Sequence, residues 1–389
     1  MTGPDARRRV AVLSRRSVEQ KVWQASQYEF EDVIADIDDA ALVLPGRPTG
    51  SALRDLARQA ANRAGRPLGR DRRAAMRPPG EVVPAELFFA VFAAPHEIGA
   101  LPLVRAQLAA ARRRVAFIVE MYTTDLPGSA DYIRQLRGFD HIFIFTRNVL
   151  PAVRELSGVP TSFLSTGVDA LRFAPRVPVP ARSIDVTSYG RRLAGTHTAL
   201  KLASAGASLH YAYDTVRGVF EVSDSVDHRD ALAANLQRSR YCVVYKNNDE
   251  PARTARTGGE ETLTNRFFEA TAAGAVLLGS APDTPDFRGA FPWPDALVPI
   301  SAPAPDILTA IGALDSEPER VAAASAAGIR AGLQRHDWSY RWDTILDAAG
   351  LAGHDLRAER ALLLADRAAQ HGDLSPLADH PSTQRMEIQ

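Results

Sequence analysis

The sequence predicts an α/β protein made of two halves, each a parallel β-sheet covered by helices. Three observations carry this. Short, continuous apolar runs recur along the chain; helix-length stretches separate them; and one proline-rich break divides the series in two. The 389 residues suffice for two ordinary domains, each able to bury its own core.

In the first half the strand candidates are Val10 to Leu13, Ala40 to Leu44, Leu87 to Phe92, Val115 to Val119, His141 to Phe145 and Thr161 to Leu164. Apolar residues in such uninterrupted runs suit strands buried on both faces. Leu101 to Arg112 has helix length and composition. The segment Ala174 to Pro180 carries prolines at 175, 178 and 180. Proline fixes φ and removes a backbone donor, so this stretch is expected to be an extended linker over residues 175–182, with the first domain at 1–174.

The alternation restarts with Ile184 to Tyr189, Ser208 to Ala212, Tyr241 to Tyr245, Ala275 to Leu278 and Ala296 to Ile300, giving a second domain over 183–335. Glu317 to Gln334 and Trp338 to Ala349 read as helices, the latter a closing helix within 336–352. The polar stretch 353–389 is expected to be a partly disordered tail.

Lys plus Arg equals Asp plus Glu at 46 each, so no overall field draws the molecule to nucleic acid or acidic lipid. Locally, six arginines face one aspartate between Arg63 and Arg77, which reads as a solvated loop or, as a minor reading, a peripheral contact with anionic headgroups. The single cysteine, Cys242, lies in an apolar run and reads as a buried thiol. The stretch Met1 to Arg9 is basic with no apolar region behind it, and no run approaches eighteen apolar residues. A cytoplasmic protein with at most peripheral contact at the inner membrane face is expected.

The segment Thr257 to Gly274, followed by Ala275-Val276-Leu277-Leu278-Gly279, reads as a glycine turn, a helix and a strand. Leu263, Phe267 and Ala270 form one apolar stripe, and Gly274 supplies a left-handed end to the helix. A glycine pair, Gly258 and Gly259, before the first-turn amides of Thr264 and Asn265 makes a candidate diphosphate seat. On one helix Glu261 and Glu269 would stand about 12 Å apart along the axis and about 80° apart around it, two carboxylates able to grip the hydroxyl pairs of an elongated ligand. On composition alone they also read as a solvated helix face.

Glu261, seven residues, Glu269 and then Ala-Ala-Gly-Ala-Val-Leu-Leu-Gly resembles the donor-site signature of retaining GT-B glycosyltransferases, especially family 4 and its relatives. Three further segments, in the same order, are similar. Gly167-Val168-Asp169-Ala170-Leu171-Arg172-Phe173-Ala174-Pro175 resembles the motif those enzymes carry before the linker. Gly190-Arg191 resembles the opening of their second domain, and His336-Asp337-Trp338-Ser339-Tyr340-Arg341 their closing helix. The similarity runs from about Phe139 to Ala349. It implies a GT-B fold of two Rossmann-like domains, with the C-terminal helix crossing back to the first.

The resemblance also implies that Glu269 holds the nucleotide ribose, that Glu261 contacts donor-sugar hydroxyls, and that Arg191, flanked by Gly190 and Arg192, neutralises the diphosphate. The family's lysine five residues beyond that arginine is Thr196 here. Lys201 and Lys246 are the substitutes, and Lys246 is preferred because it follows a strand, where ligands of open α/β sheets collect. In the first half His96, Glu120 and Tyr122 follow central strands and are candidates for the acceptor side of an interdomain cleft.

The triplet around Asp36-Ile37-Asp38-Asp39 offers oxygen ligands of a kind that suits Mg²⁺ or Mn²⁺, but it follows a helical stretch far from the donor segment and reads as a solvated helix end. No metal and no cofactor is expected. The expected function is transfer, with retention and without metal, of a sugar from a UDP- or GDP-linked donor to a hydroxyl of a glycolipid, polysaccharide or natural product. The alternatives are a sugar-nucleotide epimerase of GT-B-like fold and a catalytically silent nucleotide-sugar or glycan-binding module. A nucleic-acid partner is not expected.

Overall fold

The computed structural model describes residues 8–46, 78–215 and 220–372. The chain divides into two compact units: residues 1–166, 219–228 and 339–360 form the first, and residues 167–218, 229–338 and 361–389 the second.

The first unit holds a six-stranded parallel sheet in the order β2-β1-β3-β4-β5-β6. The strands are β1 Arg8–Leu13, β2 Ala40–Val43, β3 Ala85–Phe92, β4 Ala111–Ile118, β5 His141–Ile144 and β6 Thr161–Phe163. All six answer to predicted runs. Apolar side chains of the central strands are buried, with Phe88, Phe92, Ala116, Ile118 and Ile142 in one core layer, while in β2 only Val43 is buried.

The second unit holds a five-stranded parallel sheet in the order β11-β10-β9-β7-β8, built from β7 Ile184–Ser188, β8 Tyr211–Tyr213, β9 Ser239–Val244, β10 Val276–Gly279 and β11 Val298–Pro299. Cys242 is fully buried in β9, and burial pushes its thiol up to about 12.

Each sheet reverses direction once: at β1 beside β3 in the first, and at β7 beside β9 in the second. At such a switch the two flanking loops diverge and leave a crevice beyond the carboxyl ends of the strands. In the second unit this crevice lies between the loop after Ser188 and the loop after Val244.

Three expectations change, and the reading of the tail gains detail. The stretch Leu101 to Arg112 is a 3₁₀ run over Pro95–Val104, a short α-helix Arg105–Ala110, and then β4. Pro102 lies inside the 3₁₀ run and has no N–H to give an α-helical ladder. The polar tail contains an ordered helix, Asp355–Ala369, anchored by buried Leu364 and Ala368. The unit division falls after Thr166 rather than at the proline-rich stretch, and residues 219–228 and 339–360 rejoin the first unit. Asp38 is no solvated helix end: it is fully buried, where it accepts from Trp342 Nε1 at 2.6 Å and pairs with Arg9. The arginine-rich stretch Arg63 to Arg77 lies outside the described residues.

Two segments singled out in the sequence meet in the second unit. Val168 N donates to His336 O and Trp338 N to Val168 O, both at 3.0 Å, and Asp337 accepts from Ala170 N at 2.9 Å. The His-Asp-Trp turn is thus stitched to the Gly-Val-Asp turn.

Candidate functional site

The site is built on the loops that leave β7 and β9. After β9 come Lys246, Asn247 and Asn248. Asn247 donates to Glu260 O at 3.2 Å and accepts from Thr262 N at 3.0 Å, while Asn248 donates to Gly259 O at 3.2 Å. These two amide side chains hold residues 259–262 against the loop that follows β9.

That segment is not helical. The helix spans only Asn265–Ala272, with Thr264 at its N-cap, so Glu261 stands before the helix and the axial geometry expected for the two glutamates does not apply. Gly258 and Gly259, at φ 64° and 83°, end the preceding helix Pro251–Thr257 instead of opening this one. The left-handed position predicted for Gly274 is present, at φ 77°. The stripe Leu263, Phe267 and Ala270 is buried as predicted.

Freed from the helix, Glu261 reaches Lys246. The ammonium donates to Glu261 Oε1, and Asp283 N donates to Oε2 at 2.7 Å. Burial alone would raise the Glu261 carboxyl, but the Lys246 bond, the Asp283 amide and Asn248 outweigh it and hold it below the usual carboxylate range. The Lys246 ammonium is held above its ordinary value, first by its bond to Glu261. Both side chains keep partial exposure, at 26% and 21%. This is a charged pair a ligand can still approach.

Glu269 is different in kind. It is 3% exposed, and its two oxygens are engaged: Arg229 donates to Oε1 at 2.5 Å and the Tyr189 hydroxyl to Oε2 at 2.7 Å. Burial and the Glu269 carboxylate push the Tyr189 phenol well above its ordinary range. Glu269 is a buried anchor joining the end of β7, the helix Ser225–Gln237 and the helix Asn265–Ala272. No sequence signal marked Arg229, whose partner lies forty residues away.

After β7, Gly190 takes φ 68° and its N–H binds Asp214 at 2.7 Å. Arg192 pairs with Asp214 as well, which gives it a structural partner in place of a phosphate. Arg191 is exposed, and its carbonyl accepts from the buried Arg266 at 2.9 Å, so the helix carrying Glu269 also positions this loop. Thr196, at the position of the family's lysine, is buried. Its hydroxyl bonds Tyr245 at 2.7 Å and accepts from Ala304 N at 2.8 Å. Lys201 is exposed within the helix Ala194–Ala205, off the loops that build the site.

In the first unit, His96 and Glu120 are half-buried on the segments after β3 and β4, two neighbouring strands. Tyr122 is 4% exposed, so its ring packs inside the unit and offers little to an acceptor. Glu97, next to His96, accepts from Ala93 N at 2.8 Å and Gln24 at 3.2 Å.

Residues 186–347, from β7 through most of the helix Trp338–Ala349, match the family model described as glycosyl transferase-like. The fold is similar to that of Anabaena HepE in complex with UDP-glucose, at 11% identity and a TM-score of 0.50, covering 88% of this chain and 99% of that one. It is also similar to an alpha-glucosyltransferase in complex with UDP and a 13-mer DNA containing a central A:G mismatch, at 10% identity and a TM-score of 0.51, covering 89% and 100%. At such identities the likeness is one of fold, and the fold is GT-B. No curated protein sequence matches the chain.

Proposed function

We propose that this chain is a cytoplasmic, retaining, metal-independent glycosyltransferase that moves a sugar from a UDP- or GDP-linked donor to a hydroxyl acceptor. The observation that carries the reading is the ion pair of Lys246 and Glu261 at the carboxyl edge of the second sheet, on the switch-point crevice that the Arg191 loop also borders. HepE of Anabaena in complex with UDP-glucose and the alpha-glucosyltransferase in complex with UDP favour uridine as the base.

In this reading the donor's diphosphate draws Lys246 away from Glu261, since a dianion competes well for an ammonium. Glu261, ionised and released, then accepts hydroxyls of the transferring sugar. As the bond between the anomeric carbon and the phosphate oxygen breaks, negative charge grows on the leaving diphosphate. Lys246, Arg191 and the first-turn amides around Thr264 and Asn265 stabilise it. The acceptor hydroxyl gives its proton to the departing diphosphate oxygen and forms the new bond on the face the diphosphate leaves, which retains configuration. Ribose recognition by Glu269 requires the Tyr189 hydroxyl to give way, because both carboxylate oxygens already accept hydrogen bonds. His96 and Glu120 serve the acceptor side.

A thermal-shift panel of nucleotides and nucleotide sugars tests the reading. A ligand at a hundredfold excess over its Kd stabilises the native state by about 2.7 kcal/mol. UDP or GDP should raise the midpoint, and absence of a shift with every nucleotide overturns the proposal. Incubating the stabilising donor without acceptor then separates slow hydrolysis, expected here, from epimer formation or binding alone.

A further inference from the structure

The second unit holds a cavity of about 420 Å³ at the edge of its sheet opposite the donor site. Arg182 and Gly274, which precede β7 and β10, and Arg240 at the start of β9 line it. Lys246 and Ser280 leave the other ends of β9 and β10. Strands of four to six residues separate the two edges by roughly 13–20 Å. The volume falls in the range of small-ligand pockets.

Its wall is apolar: Leu314, Val321, Ala326 and Ile329 line it, with Val179 at 41% exposure. Arg182 and Arg240 also line it, Arg240 paired with Asp185 and Asp315, while Arg330 and Arg367 stand outside the lining, near His371. Arg182 donates to the carbonyls of Leu236, Gln237, Ser239 and Ala273, so a guanidinium is fixed beside the cavity by backbone oxygens alone on that nitrogen. Arg330 donates to His371 O at 3.1 Å, and its Nε is buried with no partner. Arg367 donates to Ala174 O at 3.4 Å. His371 lines the cavity, and burial together with Arg367, Arg182 and Arg330 holds its imidazole below the ordinary value. Among the described residues no ion pair joins Arg182, Arg330 or Arg367 to a carboxylate, although Asp366 lies close enough to act on Arg367.

Arg330 and Arg367 both act on His371, and a partly buried cation without a paired counter-charge is costly. A dianion beside His371 supplies that counter-charge, while the apolar wall gains by covering hydrocarbon. We propose that this cavity is a second binding site, for an amphiphile with a phosphate head among Arg330, Arg367 and His371 and an apolar chain against Val321, Ala326 and Ile329. It is independent of the donor site and does not rest on the glycosyltransferase reading.

Monododecyl phosphate below its micellar concentration is the probe, followed by calorimetry on the full chain. One molecule should bind per chain, and inorganic phosphate or dodecanol alone should bind far more weakly. The double variant Arg330→Gln, Arg367→Gln should weaken binding by roughly tenfold or more. Ala322→Trp, at an exposed position on the rim, and Ala326→Phe, in the wall, should block the chain, with circular dichroism and the thermal midpoint reporting that each variant folds. Sedimentation with phosphatidylcholine vesicles containing phosphatidic acid identifies the source. Vesicle binding that Ala322→Trp abolishes assigns a membrane lipid, and solution binding without vesicle binding assigns a free amphiphile. No binding of monododecyl phosphate, or equal binding by the wild type and all folded variants, overturns the proposal.

Discussion

The Lys246 ammonium donates to the Glu261 carboxylate across fifteen residues of chain, joining the loop after β9 to the segment before the helix Asn265–Ala272. The two side chains proposed to meet an incoming donor are therefore each other's partner before it arrives. Ligand binding at this site is an exchange of partners.

Replacing Glu261 by Gln tests that exchange. The variant keeps the shape but loses the charge that competes for Lys246, so affinity for sugar-free UDP should stay level or rise. Turnover should fall about 100-fold, because the sugar loses its positioning acceptor. Calorimetry and steady-state kinetics read the two effects separately, and a loss of UDP affinity with normal kcat would reverse the assignment.

Glu269→Gln should act first on stability. It strands Arg229, 3% exposed, without its counter-charge, and breaking one side of a buried pair costs about 3–5 kcal/mol. Chemical denaturation should show a much lower midpoint. Tyr189→Phe, which spares the ion pair, should cost only about 1 kcal/mol and should change ribonucleotide affinity if that hydroxyl has to yield to the ribose. An unchanged midpoint in Glu269→Gln refutes the anchor role.

Turnover should be nearly unchanged by EDTA, since Lys246 and Arg191 are proposed to meet the charge that a divalent ion would otherwise neutralise. Activity lost with EDTA and restored by Mn²⁺ would place the protein in another catalytic class.

The product should keep the donor's anomeric configuration, as the resemblance around Glu261 and Glu269 implies. The proton coupling constant at the new linkage decides it, and inversion rejects the family-based mechanism.

The stability of the first unit should fall as pH rises through neutrality. Glu31 is fully buried, and burial, aided by Asp32 and opposed by Arg16 and Ser14, raises its carboxyl from 4.5 to about 7. A carboxyl raised on folding binds its proton more tightly in the native state. Its contribution is complete below pH about 4.5 and is lost as pH passes about 7. Glu31→Gln should flatten that dependence and leave the variant the more stable of the two at pH 8, as urea titrations at several pH values would show.

Much of the fold was legible because its signals are local. All eleven strands appear as short apolar runs, and Gly274 ends its helix where the apolar stripe stops. Lys246, preferred over Lys201 for its place after a strand, follows β9 and bonds Glu261. The helical reading of Glu261 failed because residues 259–262 find their hydrogen-bond partners in Asn247 and Asn248, far along the chain, instead of in a helical ladder.

By itself the sequence determined the two parallel sheets and the loops that carry charge at their ends, since periodicity and strand ends depend on neighbours a few residues apart. Only the tertiary structure decided which charges meet: Glu261 with Lys246, Glu269 with Arg229 and Tyr189, Arg192 with Asp214. Those pairings join residues 15 to 80 positions apart, and each depends on where packing places a backbone, which no local pattern of residues encodes.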